Sequence, residues 1–353
     1  MPDAPAPRPS LSVVLVSYNT RDLTLRCLDR LRPELAGTDA EVWLVDNAST
    51  DGTREAVAAR HPGVRVIANA ANLGFGAANN RALERAAGRY FLLLNTDAFV
   101  EPGAIAALVA YLEANPRVAA AGPRLLNADG SHQGSIHRLD TPLHACGQYL
   151  GLARLRRRAA APPATSGVLP PRVYLKGACL LVRREAYRDV GGFDPRFFFY
   201  GDEADWEKRM TDDGWKLAYL DEPRVTHLVG QSGSSDRLRF TLHYYAARDQ
   251  YMHKHFGLAG LTVYRLGVLA WCGRKLLQQA WWRLRPGRAV NPFAVRVHRF
   301  LLRRLGSPPA AIPDAIPDAI PDADAAETPE MAGPSPDRTR PAETEKPVVQ
   351  SLG

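Results

Sequence analysis

Between Leu11 and about Leu126 the sequence keeps switching between apolar runs of strand length and segments with helical spacing. LSVVLVSYN is followed by Leu23, Cys27, Leu31 and Leu35 on one helical stripe, then by EVWLVDN, a helix from Asp51, and VRVIAN. A helix from about Gly74 to Ala87, the run YFLLLN, a helix beginning at Pro102 and the run VAAAG complete the series. Runs such as VVLV and YFLLL lack polar alternation, so they suit strands covered on both faces, as helices on each side of a sheet provide. Strand and helix in strict succession predict an α/β fold with a mostly parallel, doubly wound sheet. The chain of 353 residues is long enough for one large domain or two small ones.

In an open parallel sheet, ligands sit at the carboxyl ends of the strands. Here three strands end on polar groups: Ser17, Tyr18 and Asn19; Asp46, Asn47 and Ser49; Asn95 and Asp97. Each alone is compatible with a helix cap or a turn. Their concurrence on one sheet edge favours a ligand site. NLGFGAANN (residues 72–80) adds a glycine-containing loop that opens a helix, but its spacing matches neither GxGxxG nor a Walker loop. An ordinary NAD site or ATPase is therefore disfavoured.

Beyond the first stretch, Asn127–Pro171 is basic and rich in Pro and Gly, and reads as a long irregular connection, partly mobile and able to cover a site. Residues 172–235 hold a strand VYLKGACLLV, a short helix, a polar helix from Glu203 and two more strands. Residues 236–305 read as helical, basic and tryptophan-bearing. Residues 1–10 read as a disordered lead without the apolar core of a signal peptide, and 306–353, with the repeat AIPDAIPDAIPD, as a disordered tail. Four widely spaced cysteines form no CxxC pair, which argues against a zinc site or a disulfide framework and fits a reducing cytosol.

Six motifs carry a resemblance to a known family: SVVLVSYNT, VDNASTDGT, NLGFGAANN, LLLNTDAFVEPGAI, KGACLLVRREAYRDVGGFDPRFFFYGDEADWEKR and GWKLAYLDEPRVTHLVGQS. Their order, across residues 11–255, resembles that of family 2 glycosyltransferases of GT-A fold, most closely the bacterial rhamnosyltransferase-like branch. The resemblance implies a GT-A catalytic domain over 11–235, with a nucleotide-sugar half (11–126) and an acceptor half (172–235). It also implies an inverting, metal-dependent transfer of a sugar from a nucleotide-sugar donor, dTDP-rhamnose in that branch, to a hydroxyl. A family member using a UDP- or GDP-sugar is the alternative.

Site roles follow from the same resemblance. Tyr18 and Asp46 should contact base and ribose, with Asn19, Ser49, Asn72 and Asn79 nearby, although Asn79 equally suits a structural hydrogen bond. The family's DxD motif is here Asn95–Thr96–Asp97, a variant usual in the rhamnosyltransferase-like branch. This leaves Asp97 as the carboxylate for Mg2+ or Mn2+, ions that keep waters and bind substrate phosphates. His227, in VTHL, falls where some relatives hold metal or phosphate. Lys176 and Gly177 fall at acceptor or sugar contacts, where many relatives carry a small or hydroxyl residue in place of the lysine.

In GDEADWEKR the acids Asp202, Glu203, Asp205 and Glu207 are too crowded to be buried and ionised together. Glu203 aligns with the family's general base. Asp202, Asp205 and Trp206 are expected on the acceptor side, although first-turn acids matched to the helix dipole and a packing tryptophan are the plainer readings. A carboxylate near pKa 4.3 deprotonates an alcohol only late, as the attacking oxygen becomes acidic, and a neighbouring acid such as Asp202 is expected to raise that pKa.

From Arg237 to Arg304 fourteen basic residues face the single acid Asp249. Such a block suits an anionic partner. Uncharged runs such as LGVLAWCG are too short to span a bilayer, which needs about twenty apolar residues. Interspersed Arg and Lys with Trp271, Trp281 and Trp282 suit a helix in the headgroup layer, although the apolar residues are not confined to one face. The expected partners are a nucleotide-sugar donor, a lipid-linked or cell-envelope glycan acceptor and the inner face of the cytoplasmic membrane, with the enzyme peripheral on its cytoplasmic side. An ordinary helical subdomain is the other reading of this block. A catalytically silent nucleotide-sugar-binding protein is the rival function. A nucleic-acid binder is disfavoured for want of a recognised module, and a processive polymerase for want of transmembrane helices.

Overall fold

A computed structural model of the protein describes residues 9–151, 166–228, 237–283, 292–306 and 309. The expected disordered lead lies almost wholly outside the described residues, and the expected tail almost wholly so. The N-terminal half is built from β1 (Leu11–Ser17), α1 (Arg21–Glu34), β2 (Ala40–Asp46), α2 (Thr53–Arg60), β3 (Arg65–Ala68), α3 (Phe75–Leu83) and β4 (Tyr90–Asn95). These four strands are parallel and lie in the order β3-β2-β1-β4. The chain thus crosses over β1 and β2 to reach β4, which puts the topological switch point between β1 and β4. Both strands end there on the polar residues the sequence singled out.

β1 and β4 form the centre of the core: Val13, Val14, Leu15, Phe91, Leu92 and Leu93 are fully buried. Successive residues face opposite layers, so Leu92 and Leu93 belong to different apolar clusters on the two sides of the sheet. Each such side chain contributes about 1.5–3 kcal/mol by leaving water.

The sheet continues through β5 (Ala98–Val100), α4 (Ala104–Ala114) and β6 (Val118–Leu126). β11 (Cys179–Arg183) lies antiparallel between β4 and β6, and β12 (Lys216–His227) joins β6 to β5. Three sequence expectations are corrected here. Asn127–Pro171 is not merely irregular: it holds β7 (His132–Gln133), β8 (Ile136–Arg138), α5 (Pro142–Tyr149) and β9 (Gly167–Val168), with 152–165 outside the described residues. The expected strand VYLKGACLLV is two, β10 (Val173–Leu175), paired with β8 in a separate small sheet, and β11, parted at Lys176–Ala178. The expected last two strands are one, β12, whose register shifts between Leu220 and Arg224. Pro223 lies in that shift and cannot donate to the ladder.

After α6 (Arg184–Val190) and α7 (Asp202–Asp212) come α8 (Arg237–Arg283), broken at the non-helical Gly257 (φ 64°), and α9 (Pro292–Arg304). Tyr245, Tyr251, Met252, Tyr264, Val268 and Cys272 of α8 share an apolar cluster with Tyr149 of α5, Val297 and Leu301 of α9, Phe197, and Ala204 of α7. The helical segment is therefore packed on α5, α7 and the loop that carries Phe197.

Part of its positive charge is spent internally. Arg248 pairs with Asp140, Arg265 and Arg304 reach Asp249, and Lys254 reaches Asp194 and Asp205. The run-by-run estimate of apolar length is also corrected: Thr241–Trp282 is long and apolar enough, by length and composition, to cross a bilayer. About a third of its most apolar window (33%) is buried inside the protein. All four cysteines are free thiols.

Candidate active site

The end of the sheet expected to take the nucleotide is assembled by the loops after β1, β2 and β3. Asn19 adopts a left-handed backbone (φ 53°), its N–H donating to Ser49 Oγ at 3.0 Å and its Oδ1 accepting from Thr50 N–H at 2.8 Å. These bonds lock the β1 and β2 loops together and leave Tyr18 projecting, 43% exposed. Asp46 is buried, with Oδ2 accepting from Ser49 N–H (3.3 Å) and 3.5 Å from Arg54 Nε. Its Oδ1 is buried with no hydrogen-bond partner.

Asn47, named in the sequence only as a polar strand end and given no role, ties the β3 loop to the β2 end. It donates to Asn72 Oδ1 (2.7 Å) and accepts from Asn69 Nδ2 and Leu73 N–H, both at 3.0 Å. Asn72 thus stands at the site, facing this hub. Asn79 does not: it is buried inside α3 and its amide donates to Phe75 O (2.9 Å). The structure thus gives Asn79 a hydrogen bond within its own helix, neither a place facing the β1 and β2 loops nor a bond to the neighbouring strand-end loop.

The β3–α3 loop closes at Gly74 (φ 81°), where a Cβ would stand 2.0 Å from Phe198 O. Only glycine lets it meet the 192–201 segment, to which Phe75 N–H donates (3.1 Å to Phe198 O).

Asp97 and His227 meet through strand register. Ala98 pairs with His227 across antiparallel β5 and β12, which brings His227 Nε2 to 3.4 Å from Asp97 Oδ1. Both residues are buried, and Asp97 Oδ1 has no hydrogen bond. Asn95 is half-buried at the end of β4, its N–H donating to Ala178 O (3.0 Å). Among the described residues no group of three or more His, Cys, Asp or Glu side chains could by itself hold a metal. The pair nevertheless fits a divalent cation: a buried carboxylate oxygen lacking a donor faces an imidazole nitrogen, and phosphate and water oxygens suit the remaining positions of such an ion.

Gln133, which was missed, backs this pair. Its Oε1 lies 2.7 Å from His227 Nδ1 and accepts from Lys176 Nζ at 3.0 Å. Lys176 is followed by Gly177, whose N–H donates to Glu203 Oε1 at 3.3 Å. A Cβ at Gly177 would lie 2.6 Å from that oxygen, so glycine is required for the approach. Burial lowers the pKa of the Lys176 ammonium, against the opposing pull of the Glu203 and Asp97 carboxylates.

Helix α7 sorts its four acids by face. Glu203, at the start of the helix after the left-handed Tyr200 and Gly201 (φ 66° and 77°), is partly exposed. Asp202, Asp205 and Glu207 are buried. Burial pushes Asp202 well above the usual carboxylate range, helped by the charge of Glu203 and a hydrogen bond to it. A proton on Asp202 lets it meet Glu203 as a donor rather than as a second charge. Burial likewise raises Glu207, whose Oε2 accepts from Leu175 N–H (2.8 Å).

Burial alone would raise Asp205 too, but hydrogen bonds from His255 and Lys254 and the charge of Arg209 outweigh it and hold Asp205 below the usual range. Asp205 is a structural anchor for α8. Trp206 is fully buried, packed on Phe193 (4.3 Å between ring centres) with its N–H donating to Gly191 O (2.7 Å). Both are corrected from acceptor contacts to core residues.

A linkage prediction follows for Asp202. A carboxyl whose pKa is raised on folding contributes stability that is full below its unfolded value, near 3.8, and is lost as pH rises toward the folded value. Asp202→Asn removes that proton dependence while keeping a donor to Glu203. Melting curves from about pH 4 to about pH 8 should therefore show the variant gaining on the wild type with rising pH, by at most about 1.4 kcal/mol per pH unit. Parallel Tm profiles would disprove a buried protonated Asp202.

The family model Glycosyl transferase family 2 matches residues 12–191. N-acetylglucosaminyl-diphospho-decaprenol L-rhamnosyltransferase of Mycobacterium tuberculosis is 34% identical over 250 residues, 64% of this chain and 78% of that protein. O-antigen biosynthesis protein RfbC of Myxococcus xanthus is 26% identical over 242 residues, 65% of this chain but 18% of the larger protein. The solved mannosyltransferase PcManGT of Pyrobaculum calidifontis, in complex with GDP-Man and Mn2+, superposes with a TM-score of 0.50 at 20% identity, covering 86% of this chain and 83% of that one. That likeness shows a common fold.

Proposed function

This chain belongs to glycosyl transferase family 2, and from that premise we propose that it transfers L-rhamnose, with inversion, from dTDP-rhamnose to a hydroxyl of a lipid-linked cell-envelope glycan. The enzyme is a glycosyltransferase of GT-A fold. The observation that carries the mechanism is the strand break at Lys176–Gly177. Its first residue is bonded to the Gln133 that backs His227, and its second to Glu203, so the diphosphate end and the candidate base meet across two consecutive residues. The rhamnosyl assignment rests on the mycobacterial relative, and divalent-metal use on the Asp97–His227 pair together with the Mn2+ in the archaeal structure.

In this reading Tyr18 presents its ring to the base and the unpartnered Asp46 Oδ1 accepts from the nucleoside. Asp97 and His227 would hold Mg2+ or Mn2+, which when bound offsets charge developing on the diphosphate leaving group. Glu203 takes the acceptor proton late in the attack, oriented by Gly177 N–H and by the protonated Asp202. Lys176, between the two carboxylates, suits the sugar or acceptor. The decisive experiment is donor turnover across dTDP-, UDP- and GDP-sugars with Mg2+ or Mn2+ and then with chelator. Turnover should be highest with dTDP-rhamnose and metal. Preference for another donor would overturn the rhamnosyl assignment alone.

The helical segment supports a peripheral place on the inner face of the cytoplasmic membrane. Leu258, Leu266, Leu269, Leu277 and Trp281 are its exposed large apolar residues, and at about 100° per residue they fall within an arc of about 140°. The sequence showed no clean face because the other apolar residues of this arm, such as Tyr264, Val268 and Trp271, pack on α5 and α9. Arg274, Arg299 and Arg303 remain exposed, which suits anionic headgroups. The protein should float with vesicles containing phosphatidylglycerol and less with phosphatidylcholine alone, and Leu266→Glu with Leu277→Glu should abolish flotation while donor hydrolysis persists. Unchanged flotation of the double variant would remove this face from consideration.

A further inference from the structure

We infer that Gln133 is a positioning residue that fixes which nitrogen of His227 faces Asp97, an inference resting on the reading of Asp97 and His227 as the cation pair. Gln133 is buried and its amide is oriented at both ends. Nε2 lies 2.8 Å from Asn127 Oδ1 and 3.1 Å from His227 O, two acceptors, so that end must be the NH2 group. The other end, Oε1, accepts from the Lys176 ammonium at 3.0 Å and sits 2.7 Å from His227 Nδ1. An oxygen that is only an acceptor requires a hydrogen on Nδ1. The neutral ring then carries its lone pair on Nε2, the nitrogen 3.4 Å from the unpartnered Asp97 Oδ1.

With the ring neutral, the two acceptors facing each other across that gap would form half of a cation site, and Gln133 is what orients it. The same side chain also bonds the His227 backbone, so it holds both the ring's tautomer and its position. Such outer partners of a ligating histidine typically contribute 10–100-fold to metal affinity.

The test uses the full-length protein. Mn2+ binding is titrated by electron paramagnetic resonance in the presence of dTDP, and the His227 ring nitrogens are read by 15N NMR without metal. Gln133→Leu should weaken Mn2+ binding by about 10–100-fold and convert His227 from the Nδ1–H form to a mixture. Gln133→Glu, which keeps an acceptor at Nδ1 but loses the donor to Asn127 Oδ1 and His227 O, should preserve the Nδ1–H form and recover the affinity only in part. Melting temperature and metal-free dTDP binding report whether each variant is folded, and Gln133→Met serves in place of Gln133→Leu should the latter not fold.

If Gln133→Leu leaves both the tautomer and Mn2+ affinity unchanged while His227→Ala weakens Mn2+ binding, this inference fails and the cation reading stands. Should His227→Ala itself bind Mn2+ normally, the cation reading fails and takes the inference with it.

Discussion

Glu203→Gln is expected to lower sugar transfer by about 10²–10⁴-fold, the usual worth of a positioned general base, while nucleotide-sugar binding is retained. The substitution changes one oxygen to an NH2 group of the same size, so the close packing of Gly177 against this side chain survives. Gly177 N–H can still donate to the remaining oxygen. What disappears is the site that receives the acceptor's proton.

Because the acceptor hydroxyl becomes acidic only as it attacks, the loss should appear in kcat, with the KM for donor little changed. Steady-state transfer together with calorimetric donor binding measures both. A variant with near wild-type kcat would remove Glu203 from the mechanism, whereas full donor binding without any transfer in the wild type would favour the silent-binding reading.

Asp97→Asn should be nearly as damaging, for a different reason. Asn95 already supplies only an amide, so this change leaves the NTD segment without a carboxylate. Charge stabilisation of a leaving phosphate by a metal is worth several kcal/mol, and each about 1.4 kcal/mol is tenfold in rate, so a loss of about 10²-fold or more in kcat/KM is expected. The residual activity should no longer respond to chelator. Retained metal dependence in Asp97→Asn would move the cation elsewhere. His227→Ala should cost less, because a neutral ligand is lost and the carboxylate stays.

Much of the fold was legible because apolar run length and helical spacing are local properties. The βαβ succession to β4 and the gathering of the polar ends of β1, β2 and β4 on one sheet edge follow from them; the strand order that sets β1 beside β4 at the switch point does not. Sidedness on α7 was not legible. The sequence displays Asp202, Glu203, Asp205 and Glu207 as one acidic cluster, and nothing local says that Asp205 is claimed by Lys254 and His255 on α8. Trp206 is similar: its partners Phe193 and Gly191 lie on a segment whose path only the tertiary fold defines.

Gln133 was hidden because its role depends on residues 43 and 94 positions away, across strands that only the finished sheet brings together. A glutamine in a Pro- and Gly-rich stretch sends no local signal of buried duty. Gly177 and Gly74 could have been flagged by residue type, but the backbone and carboxylate they admit could not.

The antiparallel seating of β11 between β4 and β6 bears on how the enzyme comes into being. β3, β2, β1 and β4 pair through contacts closed within the first ninety-five residues, so the nucleotide pocket can organise early during synthesis. β11 must travel back from Cys179 to lie beside Leu94, and only that insertion brings Lys176–Gly177 up to Gln133 and Glu203. That step is non-local, and the later pairing of β12 with β5, which sets His227 beside Asp97, is less local still. In the proposed reading, a chain arrested before these pairings would have the ends of β1, β2 and β4 assembled but neither Glu203 nor His227 in place.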